Sequence, residues 1–333
     1  MFFYPGKTGR WSGVLLAGGA VIALLSMAML AEAFSRSRSV SFPSLLAEHF
    51  GILPARVLLA GAAVYYGSEI CVVIVKQTRM TGLFLLEKTP PQVIPAVTLL
   101  TVCFIITSGI RQIARAAELL FPAIVIPLAF ILAMGLFTLD PGELLPLLHP
   151  DRPPVESLRQ MPAAFGGITA AAFFAGYYDR KKLRRCLLGG TTALAVFCGL
   201  ILTGCVGVFS VRGAGRLAFP LTELSRIVSV GSVSLNHRFD ILYIMIYNAV
   251  TLISAGLLFY CCCVSLCGVF SVKNHSCFIF PLLPLLYIIS YFSLSDDTLI
   301  TLLSEWGRLA ILALLIPLLF AAAAYGRRKE AQA

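Results

Sequence analysis

The sequence predicts an all-α integral membrane protein, a transporter-like helical bundle of about nine spans. Three observations carry this. Of 333 residues, 59% are hydrophobic and only 13% charged, and the mean hydropathy is +0.90. A soluble domain usually carries about 25% charged residues, and no soluble core of this size could hide so much apolar surface. The apolar stretches are near-continuous and about 20 residues long, the length of a membrane-crossing helix. A barrel would alternate over stretches of about ten.

The spans fall near 11–31, 54–75, 92–110, 116–138, 163–178, 186–209, 241–270, 278–294 and 308–325. Together they predict a single transmembrane domain over 1–333. The fifth span is short, with Gly166 and Gly167 near its start. The seventh is long enough to tilt or to run past the membrane. The first is too long for a cleaved leader and lacks a small-residue cleavage motif.

Two connections are more than links. Residues 139–162 hold Pro141, Pro146, Pro150, Pro153, Pro154 and Pro162, so they are expected extended and outside the lipid. Residues 219–230 place Leu221, Leu224, Ile227 and Val228 on one helical face, with Glu223 and Arg226 off it. Pro220 suits a first helical position. This predicts a short amphipathic helix at the interface or over the bundle.

The net charge of +10 sits in short loops between apolar segments. That pattern speaks for topology and lipid headgroups, not for nucleic acid. Lys and Arg are more numerous on the side that holds Arg36, Arg111, Arg115 and the basic run 180–185. That side is therefore expected in the cytoplasm, with the C-terminus. Nine spans would then leave the N-terminus outside, and one further span would be expected before Met1.

Catalytic patterns are absent. His49, His149, His237 and His275 all fall between spans and read as solvated loop residues. No nucleophile elbow, zinc-protease helix, P-loop or dinucleotide fingerprint occurs. Most of the ten cysteines lie inside apolar spans and read as small apolar residues. Cys261, Cys262 and Cys263 point about 100° apart on a helix, so the run cannot chelate one ion. No metal and no cofactor is expected.

Polar groups inside spans are then the informative ones. Glu69 is the one carboxylate well inside a span, with Tyr65 and Tyr66 a turn before it. Two readings stand: an interfacial residue paired with Lys76, or a ligand or proton site facing the bundle interior. In the fifth span, Gly166, Gly167 and Thr169 can break a helix, and a break exposes backbone groups that can hold a carboxylate or ammonium. The competing reading is close packing at small residues. The seventh span adds Tyr247, Asn248, Thr251, Ser254 and Tyr260. Its hydroxyls can also simply bond their own i−4 carbonyls. The expected ligand site lies at mid-membrane between Gly166, Gly167, Thr169 and Phe173 of the fifth span, Tyr65, Tyr66 and Glu69 of the second, and Thr251 and Tyr260 of the seventh.

The order of several segments is family-like: LLEKTPPQVI at 85–94, AELLFPAIVIPL at 117–128, DRKKLRR at 179–185, FPLTELSRI at 219–227 and HRFDILYIMIY at 237–247. Together they resemble the spore germination permease family, the B subunits of GerA-type nutrient germinant receptors, within the amino acid–polyamine–organocation transporter superfamily. The resemblance covers roughly residues 10–295. It implies ten spans in two inverted five-helix repeats, with the first span missing here and 163–178 standing as the family's sixth helix. It implies a non-enzymatic membrane subunit that binds a small germinant, an amino acid, and acts with A and C subunits in the inner membrane of the spore. The alternatives are an amino-acid transporter, proton-coupled through Glu69, and an N-terminally truncated inactive fragment.

Overall fold

The computed structural model describes residues 12–36, 41–137, 167–230 apart from 215 and 218, and 239–299 apart from 273 and 297. The described residues are helical, with no strand among them. The helices are α1 (Ser12–Arg36), α2 (Phe42–Phe50), α3 (Ile52–Phe84), α4 (Val93–Thr107), α5 (Ile110–Phe137), α6 (Ala171–Phe174), α7 (Arg180–Ala214), α8 (Pro220–Val230), α9 (Phe239–Phe270) and α10 (Ser276–Ser295).

Six of the nine expected spans are helices long and apolar enough to cross a membrane: Gly13–Ser35, Ile52–Phe84, Ile110–Ala133, Lys182–Ser210, Ile241–Phe270 and Ser276–Ser295. Two more are shorter apolar helices, Val93–Thr107 and Gly167–Tyr177. The expected span 308–325 and the Pro-rich 139–162 lie outside the described residues. The protein is a multi-pass membrane protein.

Contacts divide the chain into two compact units. The first comprises Met1–Gly18, Val73–Ala164 and Ala195–Gly256, and the second Gly19–Val72, Phe165–Leu194 and Leu257–Ala333.

In the first unit, α4 turns into α5 across Gly109, whose φ of 92° is a conformation that favours glycine. The buried face of α4 is Ile94, Thr98, Leu99, Val102 and Ile106, a spacing of three to four residues that makes one stripe. The amphipathic helix α8 packs on α5. Its Leu221 and Leu224 join Met80, Ile131, Cys205, Tyr243 and Ile244 in one aliphatic core. Leu224 is 0% exposed. Its methyls lie where Cβ atoms on Gly135 and Gly204 would reach, 3.4 and 3.8 Å away, so two glycine surfaces seat it. Thus α8 covers the bundle, the second of its two expected placements. Arg226 stays at the rim, 3.7 Å from Glu223 and 5.5 Å above the Phe84 ring.

In the second unit, the connection after the first span holds a helix that the sequence reading left as loop. Ser41 and Ser44 cap α2 reciprocally, and Pro43 occupies its first turn, a start signal in the sequence itself. His49 therefore belongs to the last turn of a helix, with Nδ1 3.0 Å from the Leu45 carbonyl oxygen. This corrects its reading as a solvated loop residue. Phe42, Leu45 and Leu46 are buried. Gly268 of α9 allows the closest approach in this unit: a Cβ there would stand 2.5 Å from Leu59 and 3.2 Å from Pro43. None of the ten cysteines forms a disulfide. Cys262 donates to the Ala63 carbonyl at 3.4 Å and Cys71 to the Leu286 carbonyl at 3.8 Å. These thiols act as weak interhelical donors.

Candidate ligand-binding site

The fifth expected span is not one helix. Residues 167–170 form a tight three-per-turn stretch, α6 is a single α-turn, and Ala175–Tyr177 returns to the tight form. Tyr178 is then extended, with ψ at 151°. Each change of winding leaves carbonyl and N–H groups outside a regular ladder. Among the described residues, nothing stands within 4 Å of where a Cβ on Gly167 would lie, so tight packing against them does not account for this glycine. Gly166 lies outside the described residues.

Against this segment stands one face of α3. Glu69 follows Tyr65 by four residues and Tyr66 by three, so each tyrosine is its neighbour on the surface of α3. All three are buried, with Glu69 3% exposed. Both tyrosine rings are packed inside the protein and not displayed on its surface. The Tyr66 hydroxyl donates to Thr169 Oγ1 at 3.1 Å. Its ring meets Phe173 edge-on at 5.4 Å and Tyr65 at 5.1 Å. Four of the expected residues, Tyr65, Tyr66, Thr169 and Phe173, thus form one connected group. Edge-to-face geometry gives such aromatic groups preferred angles as well as area.

Tyr260 is buried in the same unit but meets a different ring. It stacks on Phe174 at 5.8 Å and meets His275 edge-on at 5.4 Å, with Tyr177 a further partner. His275 is half-buried beside this ring, a second correction to the solvated-loop reading. Thr251 belongs to the other unit. There its hydroxyl donates to the Tyr247 carbonyl at 2.8 Å, the i−4 bond that was the plainer expectation.

Sequence reasoning missed three aromatic members: Phe42, Phe174 and His275. Phe42 packs on Phe173 at 4.8 Å, and α2 as a whole touches α6. The capping signal at Ser41 could have found it, because a capped helix after a span presents its first apolar residue to something.

The arrangement offers a buried carboxylate, a tyrosine–threonine hydroxyl pair, irregular backbone and an aromatic wall. It can receive a small molecule with one charged and one apolar end. Nothing in it supplies a nucleophile with an adjacent base, and no group of three or more metal-ligating side chains occurs among the described residues.

Comparison with known proteins agrees with this picture. A family described as "Spore germination protein" matches residues 6–298. The Spore germination protein YndE of Bacillus subtilis (strain 168) is 26% identical over 318 residues, covering 92% of this chain and 86% of that one. Among solved structures, the crystal structure of MhsT in complex with L-phenylalanine superposes with a TM-score of 0.66 at 14% identity. The match covers 96% of this chain and 91% of that one. At that identity the likeness shows the fold, a transporter-type helical bundle.

Proposed function

This chain belongs to the spore germination protein family, and from that premise we propose that it is the membrane subunit of a nutrient germinant receptor that binds an amino acid to trigger germination. The observation that carries this reading is the burial of Tyr65, Tyr66 and Glu69 beside the irregularly wound 167–177 segment. An amino acid brings two opposite charges, and burying them needs prearranged partners. The Glu69 carboxylate suits the ammonium. Backbone groups where the winding changes suit the carboxylate. Phe173 and the tyrosine rings suit an apolar side chain. The phenylalanine bound by the similarly folded MhsT is of this chemical class. Binding that differs between two states of the bundle would shift the complex toward signalling. The receptor would act with A and C subunits in the inner membrane of the spore.

Glu69 also favours a second reading, an amino-acid transporter with proton coupling. A carboxylate buried inside a span is a common mark of proton relays. One experiment serves both. Spores carrying the full receptor are exposed to the standard amino acids, and vesicles carrying this chain are assayed for uptake of the same compounds. Glu69→Gln should raise the half-maximal nutrient concentration at least about tenfold, the loss of one buried charge pairing. A response at the unchanged concentration removes Glu69 from the site. Saturable, proton-driven uptake that Glu69→Gln abolishes would favour the transporter.

A further inference from the structure

A second polar cluster lies in the first unit and shares no residue with the Tyr66–Thr169–Phe173 group. Gln77 and Thr81 are one turn apart on α3 and share a face. Both point at Asn248 of α9. Gln77 Nε2 donates to Asn248 Oδ1 at 2.8 Å, and the Thr81 hydroxyl donates to the same oxygen at 2.9 Å. Asn248 Nδ2 donates to the Ile244 carbonyl at 2.9 Å. These bonds settle the amide orientations. Asn248 must use its nitrogen on the carbonyl, so it presents oxygen to Gln77. Gln77 must then present nitrogen, and its own oxygen is turned the other way. That atom, Gln77 Oε1, is buried, and no donor among the described residues reaches it. The Gln77 side chain as a whole is 4% exposed.

A buried amide oxygen without a donor loses its solvation with nothing in return. Rotating the amide would place two oxygens against each other, so the network cannot relieve itself from within. The surroundings then limit the occupant. Met80, Tyr243 and Ile244 belong to the apolar core beside the cluster, which calls for something compact. Gln77 Oε1 is thus a buried acceptor that one compact hydrogen-bond donor would satisfy.

We propose that Gln77, Thr81 and Asn248 form a second binding site, which holds a neutral O–H donor: an internal water, or the hydroxyl of a small ligand. The site ties α3 to α9 through the occupant as well as through the amides. An internal water that satisfies a buried, otherwise unpaired group is integral to a fold.

The test is an experimental map of the full chain in detergent at water-resolving resolution. The expected result is a non-protein peak within about 2.6–3.2 Å of Gln77 Oε1, absent from the same map of Gln77→Met. If Gln77→Met does not fold, the wild-type map decides alone. No peak in the wild type, or a Gln77 oxygen satisfied by a protein donor, overturns the proposal. The source is read after exhaustive exchange into ligand-free buffer. A peak that persists identifies water. A peak that disappears, with a lower melting temperature, identifies a small hydroxyl compound.

Discussion

The two units are built from different materials. The core of the first centres on Leu221, Leu224, Ile131 and Ile244, with aromatic rings such as Tyr243 and Phe84 around them, and α8 sits on two glycine surfaces. The second, around Tyr66 and Phe173, is aromatic and meets backbone that changes winding twice within eleven residues. Aliphatic packing at native density leaves little slack, so a lost methyl is felt as stability. Edge-on rings beside irregular backbone leave polar groups to be used, so a lost atom there should be felt as recognition.

Three substitutions can break or sharpen that contrast. The largest effect is expected from Leu224→Ala. It leaves a cavity against Gly135 and Gly204 and should cost about 2–5 kcal/mol, read as a lower melting temperature in detergent. Nutrient sensitivity of the folded remainder should not change. A shifted nutrient response at unaltered stability would end the division of labour between the units. Next is Gly167→Val. Its Cβ meets open space in the protein, so the melting temperature should hold. A ligand lying in that space would be displaced, raising the half-maximal nutrient concentration about tenfold or more. An unchanged dose–response curve would move the ligand elsewhere. The smallest is Tyr66→Phe. It removes one hydrogen bond, the 3.1 Å contact with Thr169, worth about 1 kcal/mol or about a fivefold shift in response. Should Tyr66→Phe lower the melting temperature instead and leave the response alone, the tyrosine–threonine pair is structural.

Much of the fold was legible because lipid demands long apolar runs, and these mark their own positions. Six of the expected spans stand as crossing helices, with ends shifted by up to nine residues, the most at the end of α3. The irregular winding of 167–177 was partly legible, since glycine and threonine in an apolar run make a poor helix, but the changes fall after Ala170 and Phe174, where no sequence signal marks them. The helix α2 was not, because its apolar face is only Phe42, Leu45 and Leu46, too few for a periodic signal. The partners of aromatic rings were not legible either. Tyr260 lies with Phe174 and not with the neighbouring Phe173 because consecutive residues on a turn diverge by about 100°, and sequence does not say which of the two faces α9. Asn248 was visible as a polar residue in a span, but its bonds to Gln77 and Thr81 join residues some 170 positions apart, beyond any local pattern.

The length of α3 has one more consequence. It runs for 33 residues, about 50 Å at 1.5 Å per residue, while the hydrocarbon layer is about 30 Å thick. Even a tilt near 40°, the upper end of what spanning helices adopt, uses only about 40 Å of it. A turn or two must therefore emerge. Glu69 stands seventeen residues from Ile52 and fifteen from Phe84, close to the midpoint. With spare length at the ends, the helix can meet a thinner or thicker bilayer by changing how much of each end protrudes. A carboxylate near the midpoint is the part of the helix least displaced by such adjustment, so mismatch with the lipid falls first on the margins.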